Sequence, residues 1–124
     1  MQLDGYFNAT GEPAIQLDLG FGQVEILIDT GFSGWLIVPT DFAIDLADAF
    51  EGFQSFLTAT GQTFTASVYF VEIDWFNERI EVPIAVSQQT TEALLGSQML
   101  SDCLLSIDYY NRTVRVVHHP SQSD

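Results

Sequence analysis

The stretch ILIDTGFSGWLIVP, residues 26–39, constrains the fold more than any other part of the chain. Two apolar runs converge on one carboxylate, Asp29, which is followed at once by Thr30 and Gly31. A buried ionised carboxylate is costly unless it is paired or hydrogen-bonded. Asp29 is therefore either an exposed turn residue or an acid positioned for a purpose. Val24, Ile26 and Ile28 lead in with the period of a strand, Gly31 permits a turn whose N–H groups face the carboxylate, and Trp35 to Val38 anchor the far side. The chain must make two buried strands joined by a tight, acid-bearing loop.

The same period runs through most of the sequence. AIQLDLGFGQVEILID reads as a hairpin broken at Gly20-Phe21-Gly22 and ending at Asp29. TDFAIDLADAFEG is the best helix: Thr40 as cap, Asp41 at the positive end, Phe42, Leu46 and Ala49 or Phe50 on one face, Gly52 as the stop. Asp41, Asp45 and Asp48 then form its solvated face. FQSFLTATGQTFTASVYFVEIDW reads as two long strands around a Thr60-Gly61 turn, with Phe64, Ala66, Val68 and Phe70 alternating with Thr63, Thr65, Ser67 and Tyr69. A turn over Phe76-Asn77-Glu78-Arg79 leads into RIEVPIAV, then the loop SQQTTE, the apolar ALLG and a helical turn at SQML. LLSIDYYNRTVRVV forms a last strand pair, turning near Tyr110-Asn111. Many strands with one or two short helices imply an all-β chain folded as a closed or partly open barrel.

Length and composition narrow the function classes. With 124 residues, 47% of them hydrophobic, the chain supports one core, hence one domain over 1–117 with a polar C-terminal tail over 118–124. Seventeen acids face three arginines and no lysine, a net charge of −14 that argues against nucleic acid and anionic membranes as partners. The single cysteine, Cys103, excludes an internal disulfide, supplies no set of soft metal ligands and reads as a small buried thiol. His118 and His119, adjacent in the tail, do not suggest a metal site, and Trp35 and Trp75 read as packing residues. The N-terminus has no signal-peptide pattern and no apolar run approaches the roughly 20 residues that span a bilayer, so the expected compartment is the cytoplasm. Asn8-Ala9-Thr10 and Asn111-Arg112-Thr113 then read as chance matches to the glycosylation pattern.

Three motifs in order, LIDTG, the glycine hairpin TATGQTF and LLGSQML, resemble the retropepsin-like aspartic peptidases, over about residues 14–117. The likeness is to the small cellular single-domain members more than to the viral enzymes. It implies a single-lobe acid-protease barrel and hydrolysis of peptide bonds by water activated between two aspartates, without metal, cofactor or covalent intermediate. This chain holds one such triplet, so the active form implied is a homodimer with Asp29 from each subunit. The resemblance assigns Asp29, Thr30 and Gly31 to catalysis and Ala59, Thr60, Gly61 and Gln62 to a flap over an extended peptide or protein substrate. Phe32, Leu36 and Leu94 become candidate pocket walls, although Leu94, Leu95 and Leu100 read from the residues alone as core. Viral members place Arg at Ser97, and many cellular relatives place Asp at Gln98; neither charge is present. The alternative reading is a catalytically silent peptide-binding or scaffolding module with the same fold.

Overall fold

The computed structural model describes residues 1–57 and 60–119, and they are mostly strand. β1 (Gln2–Asp4), β2 (Tyr6–Phe7), β3 (Pro13–Asp18) and β4 (Gln23–Ile28) open the chain. After β5 (Leu36–Val38) come three short helical pieces, with α1 (Ala43–Leu46) between the 3-10 turns Thr40–Phe42 and Ala47–Ala49. β6 (Phe50–Leu57), β7 (Thr63–Trp75), β8 (Glu78–Val86) and β9 (Leu94–Leu95) follow, and β10 (Cys103–Asp108) and β11 (Thr113–His118) close it. Eight strands form one sheet in the order β2-β3-β4-β9-β5-β8-β7-β6, and three form a second, β1-β11-β10. The large sheet has two edges, β2 and β6, so the barrel is of the partly open kind.

The pairing follows from where apolar side chains can be covered. Ile15, Leu19, Ile26, Leu36, Ile73, Ile84, Leu95 and Val116 are each under 2% exposed, and burying each such side chain contributes about 1.5–3 kcal/mol before entropy is counted. Trp75 belongs to this core, and Trp35 packs against it half-buried. Both hairpins sit where the sequence indicates, with Asp18 opposite Gln23 around residues 19–22 and Leu57 opposite Thr63. The β7–β8 turn is the two-residue kind, with Trp75 opposite Glu78 and both Phe76 and Asn77 in the left-handed region, at φ 53° and 65°.

Several expectations are corrected. The helix does not run from Thr40 to Gly52: Pro39 precedes it, Thr40 makes no capping bond, and Leu46 is its one buried residue. Ile44 is 85% exposed, so no apolar stripe is sustained, and Phe50 is drawn into β6 opposite Tyr69. Phe70 does not share the buried face of Phe64, Ala66 and Val68; it is 41% exposed, while Tyr69, Ile73 and Trp75 are buried. The pleat is unbroken, but the covered face changes where β7 leaves the hairpin arm, opposite the bulge between Phe50 and Gly52 in β6. SQML makes the expected helical turn, as successive turns in which the Met99, Leu100 and Ser101 N–H groups donate to the carbonyls of Gly96, Ser97 and Gln98. Cys103 is half-buried. His118 ends β11 opposite Cys103 and stacks on Phe76 at 5.0 Å, and the His119 N–H donates to Asp102 O at 2.7 Å. The first seven residues, legible only as lacking a signal pattern, supply β1 and β2.

Candidate active site

Asp29 follows the last residue of β4, which pairs in parallel with β9, Leu27 opposite Leu94 and Ile28 opposite Leu95. Its N–H donates to Leu95 O at 2.9 Å and its carbonyl accepts from Phe32 N–H at 3.1 Å, so the backbone on either side of the acid is fixed. The carboxylate is half-buried and accepts the Gly31 N–H at 3.0 Å on Oδ1. A Cβ at Gly31 would stand 3.3 Å from that oxygen, tighter than most contacts allow. Thr30 and Gly31 are exposed at the apex of the loop.

The chain returns as β5 on the far side of β9, so the short Leu94-Leu95 strand is clasped between β4 and β5. Beyond it, three successive N–H groups donate into the acid-bearing loop: Gly96 to Trp35 O at 2.9 Å, Ser97 to Phe32 O at 2.8 Å and Gln98 to Gly34 O at 3.1 Å. Neither charged side chain that the resemblance would place at Ser97 or Gln98 is present, and main-chain bonds hold this segment to the loop. This is possible only because Gly96 has no side chain: a Cβ there would run into Gly34 O and lie 2.6 Å from both Phe32 O and the Phe32 ring.

The Phe32 ring also covers Gly34 and starts an aromatic ladder, 5.8 Å to Phe56 and then 5.5 Å from Phe56 to a stacked Phe64. Phe32, Ile37, Ala66 and Ala85 form a second small core with Phe56, Phe64 and Leu94 packed against it. This cluster ties the acid loop to the β6–β7 hairpin. Between them lies a cavity of about 220 Å³ lined by Asp29, Gly31, Phe32, Ile37, Leu57, Phe64, Gln89, Thr90 and Leu94.

Of the residues singled out from sequence, Asp29, Gly31, Phe32 and Leu94 thus meet at one cavity, although Phe32 is largely buried beneath it. Thr30 does not line it. Leu36 does not either; it is 1% exposed in the main core and borders a neighbouring groove of about 280 Å³ with Ser33, Gly34, Gln54 and Phe56. Thr60, Gly61 and Gln62 are exposed on the loop closing the β6–β7 hairpin, and Ala59 lies outside the described residues. Sequence reasoning missed Ile37, Leu57, Gln89 and Thr90 as lining residues, and took Phe64 only as a strand residue. Thr90 is held by its hydroxyl, which donates to Glu92 O at 2.7 Å. Among the described residues no group of three His, Cys, Asp or Glu side chains is arranged to hold a metal, and no helix is long and apolar enough to cross a membrane.

A short strand clasped between two others, with an acid at the loop, can be compared directly with solved structures. The retropepsin-like aspartic protease from Rickettsia conorii superposes with a TM-score of 0.68 at 14% identity, over 95% of this chain and 91% of that one. The chain has a retropepsin-like fold. The EIAV protease in complex with the inhibitor HBY-793 matches at TM-score 0.59 and 17% identity, over 77% of this chain and 91% of that one. The Simian Foamy Virus (mac) protease matches at 0.51 and 16%, over 71% and 91%. No protein-family model matches the chain, and no curated protein matches it in sequence.

Proposed function

We propose that the chain is an aspartic endopeptidase that works as a homodimer, with one Asp29 from each subunit forming the catalytic pair. The observation that supports this best is the Asp29 carboxylate, held by the Gly31 N–H at a strand end and opening on a largely apolar cavity. With one Asp-Thr-Gly triplet per chain, the second carboxylate must come from a second copy, which puts the pair on a two-fold axis.

Two carboxylates at hydrogen-bond distance cannot both stay ionised, so the pair holds one proton between them. The ionised partner takes a proton from water as the oxygen attacks the scissile carbonyl carbon, and the protonated partner gives its proton to the carbonyl oxygen. The resulting diol collapses: the carboxyl that took the water proton gives it to the amine nitrogen, the C–N bond breaks, and one diol hydroxyl returns its proton to the other carboxylate, so that the pair again holds one proton. Thr30 bridges to the partner loop, and the hairpin at 60–62 folds over an extended peptide that adds to the site as a strand. Phe32, Leu94, Ile37 and Phe64 favour apolar side chains beside the cut.

Cleavage profiling of a diverse peptide library by mass spectrometry, wild type beside Asp29→Ala at about pH 4 to 8, tests the reading. Wild type cleaves, best at mildly acid pH, while Asp29→Ala keeps its circular dichroism and loses at least about a thousandfold in rate. Undiminished cleavage by Asp29→Ala contradicts it, and peptides bound intact by both forms transfer the case to the silent binding module.

A further inference from the structure

Three cavities adjoin one another around the β6–β7 hairpin. The one that holds Asp29 shares Leu57 with the groove of about 280 Å³ beside Ser33. It shares Phe64 and Gln89 with an open trough of about 690 Å³ that reaches Phe53 and Ser67. Among the described residues that line all three, Asp29 is the only one with a charged side chain. The other polar groups are amides and hydroxyls, such as Gln54 and Gln98 on one side and Gln88 and Gln89 on the other. The sequence supplies this neutrality in blocks, since residues 30–40, 52–71 and 82–91 carry no charge. Elsewhere the chain is crowded with acids: a cavity beside Trp75 has Glu78 and Asp102, and one beside Phe21 has Asp45, Asp48 and Glu72. Resting on the peptidase reading, we propose that the substrate is a basic protein segment, uncharged over the stretch that is cut and carrying lysine or arginine on either side of it.

Two separate effects set these requirements. Beside the neutral walls a charged side chain gives up water and meets no opposite charge, so lysine and glutamate are both disfavoured there. Neutral polar side chains are accepted, because the lining amides and hydroxyls can answer them. Beyond the walls the summed charge of the chain acts. A net charge of −14 sets up a negative potential that speeds encounter with basic segments and slows it with acidic ones. A second copy adds the same charge again.

The arginines do not offset this field near the site. Arg79 faces Glu72 and Asp74 at 3.5 and 3.4 Å, Arg115 faces Asp4 at 3.3 Å, and Arg112 lies over the Phe7 ring at 4.5 Å. None of them lines the three cavities. No single carboxylate holds the basic residues of the substrate; the whole chain draws them in, and the neutral walls decide which stretch is cut. An acidic segment is opposed by both effects, and a wholly apolar one gains nothing from the second.

The test uses a defined peptide library whose centre and ends are varied independently among apolar, neutral polar, basic and acidic residues. Cleavage by the full wild-type chain is followed at about pH 6, where most carboxylates stay ionised, in about 0.01 M and about 0.5 M salt. Capture of the same peptides by immobilised Asp29→Asn chain gives a second readout that needs no turnover. Both should favour uncharged centres with basic ends. At low salt, basic ends should exceed acidic ends by at least about tenfold in kcat/KM, with kcat unchanged, and the gap should close to about twofold at high salt. A charge of either sign in the centre should lower kcat/KM at least about tenfold at both salts. Equal rates for basic and acidic ends at low salt, or charged centres cut as readily as neutral ones, overturn the proposal. Failure of the peptidase reading looks different, since no cleavage then depends on Asp29. Capture still decides in that case: selective capture assigns the same preference to a silent binding module, and indifferent or absent capture overturns the proposal.

Discussion

Phe32 links three parts of the site at once. Its N–H holds the Asp29 carbonyl, its own carbonyl accepts Ser97 N–H, and its ring fills the space left by Gly34 and Gly96. Gly96→Ala would force a methyl into that contact, so it should destabilise the fold by about 1–3 kcal/mol, read as a lowered denaturation midpoint with unchanged slope. A midpoint equal to wild type would mean the loop is not packed as described. A second residue-scale prediction concerns Asp108, whose carboxylate accepts the N–H groups of Tyr110 and Asn111 and the Asn111 side-chain amide. Those bonds, led by the Asn111 N–H, hold its carboxyl below the usual range. A depressed native value means stability present above the unfolded carboxyl value of about 3.9 and lost as pH falls through the native one. Asp108→Ala should therefore lower Tm at neutral pH, and the gap from wild type should close in strong acid; a gap independent of pH would contradict the assignment. At this scale Asp29 and Gly31 were legible, because their contact is between neighbours in sequence. Gln89 and Thr90 were not, because they reach Asp29 only through pairing between distant strands.

The β6–β7 hairpin is the element whose behaviour the packing describes most sharply. It rests on the acid loop through Phe56 and Phe64, while Phe53 and Leu57 on its other positions are 73% and 58% exposed. Phe56 is half-buried in the middle of the ladder, so Phe56→Ala should cost less than the 3–5 kcal/mol of a fully buried ring, about 2 kcal/mol. The loss should be local: native-state hydrogen exchange should speed up within residues 53–67 and leave β3 and β4 protected. Uniform acceleration across the chain would mean that the hairpin is not a separate unit. Hairpins and turns were legible from the alternation of Thr63 to Val68 and from Asn77 and Gly61, since turn chemistry is local. The helix after Pro39 was over-read, because propensity and acids near its start do not create the apolar stripe that Ile44 fails to continue. The anchoring of residues 96–98 was invisible, because main-chain bonds carry no residue signature apart from Gly96.

At the scale of the molecule, the all-β character followed from the period of the apolar residues. The strand order did not, since β9 between β4 and β5 and β1 beside β11 join residues far apart in the chain. The terminal sheet β1-β11-β10 is completed within one chain, with Gln2 opposite Val117. The proposed dimer brings two Asp29 loops together, and Thr30 is exposed at the apex of that loop. The central claim is that two chains share one catalytic pair, and mixing subunits tests it most directly. Wild type and Asp29→Asn chains are exchanged in varying proportion at constant total protein, and cleavage of one reporter peptide is followed. A shared pair predicts activity falling as the square of the wild-type fraction, to about a quarter in an equimolar mixture. A linear fall, leaving about half, would mean that each chain acts alone and would contradict the account.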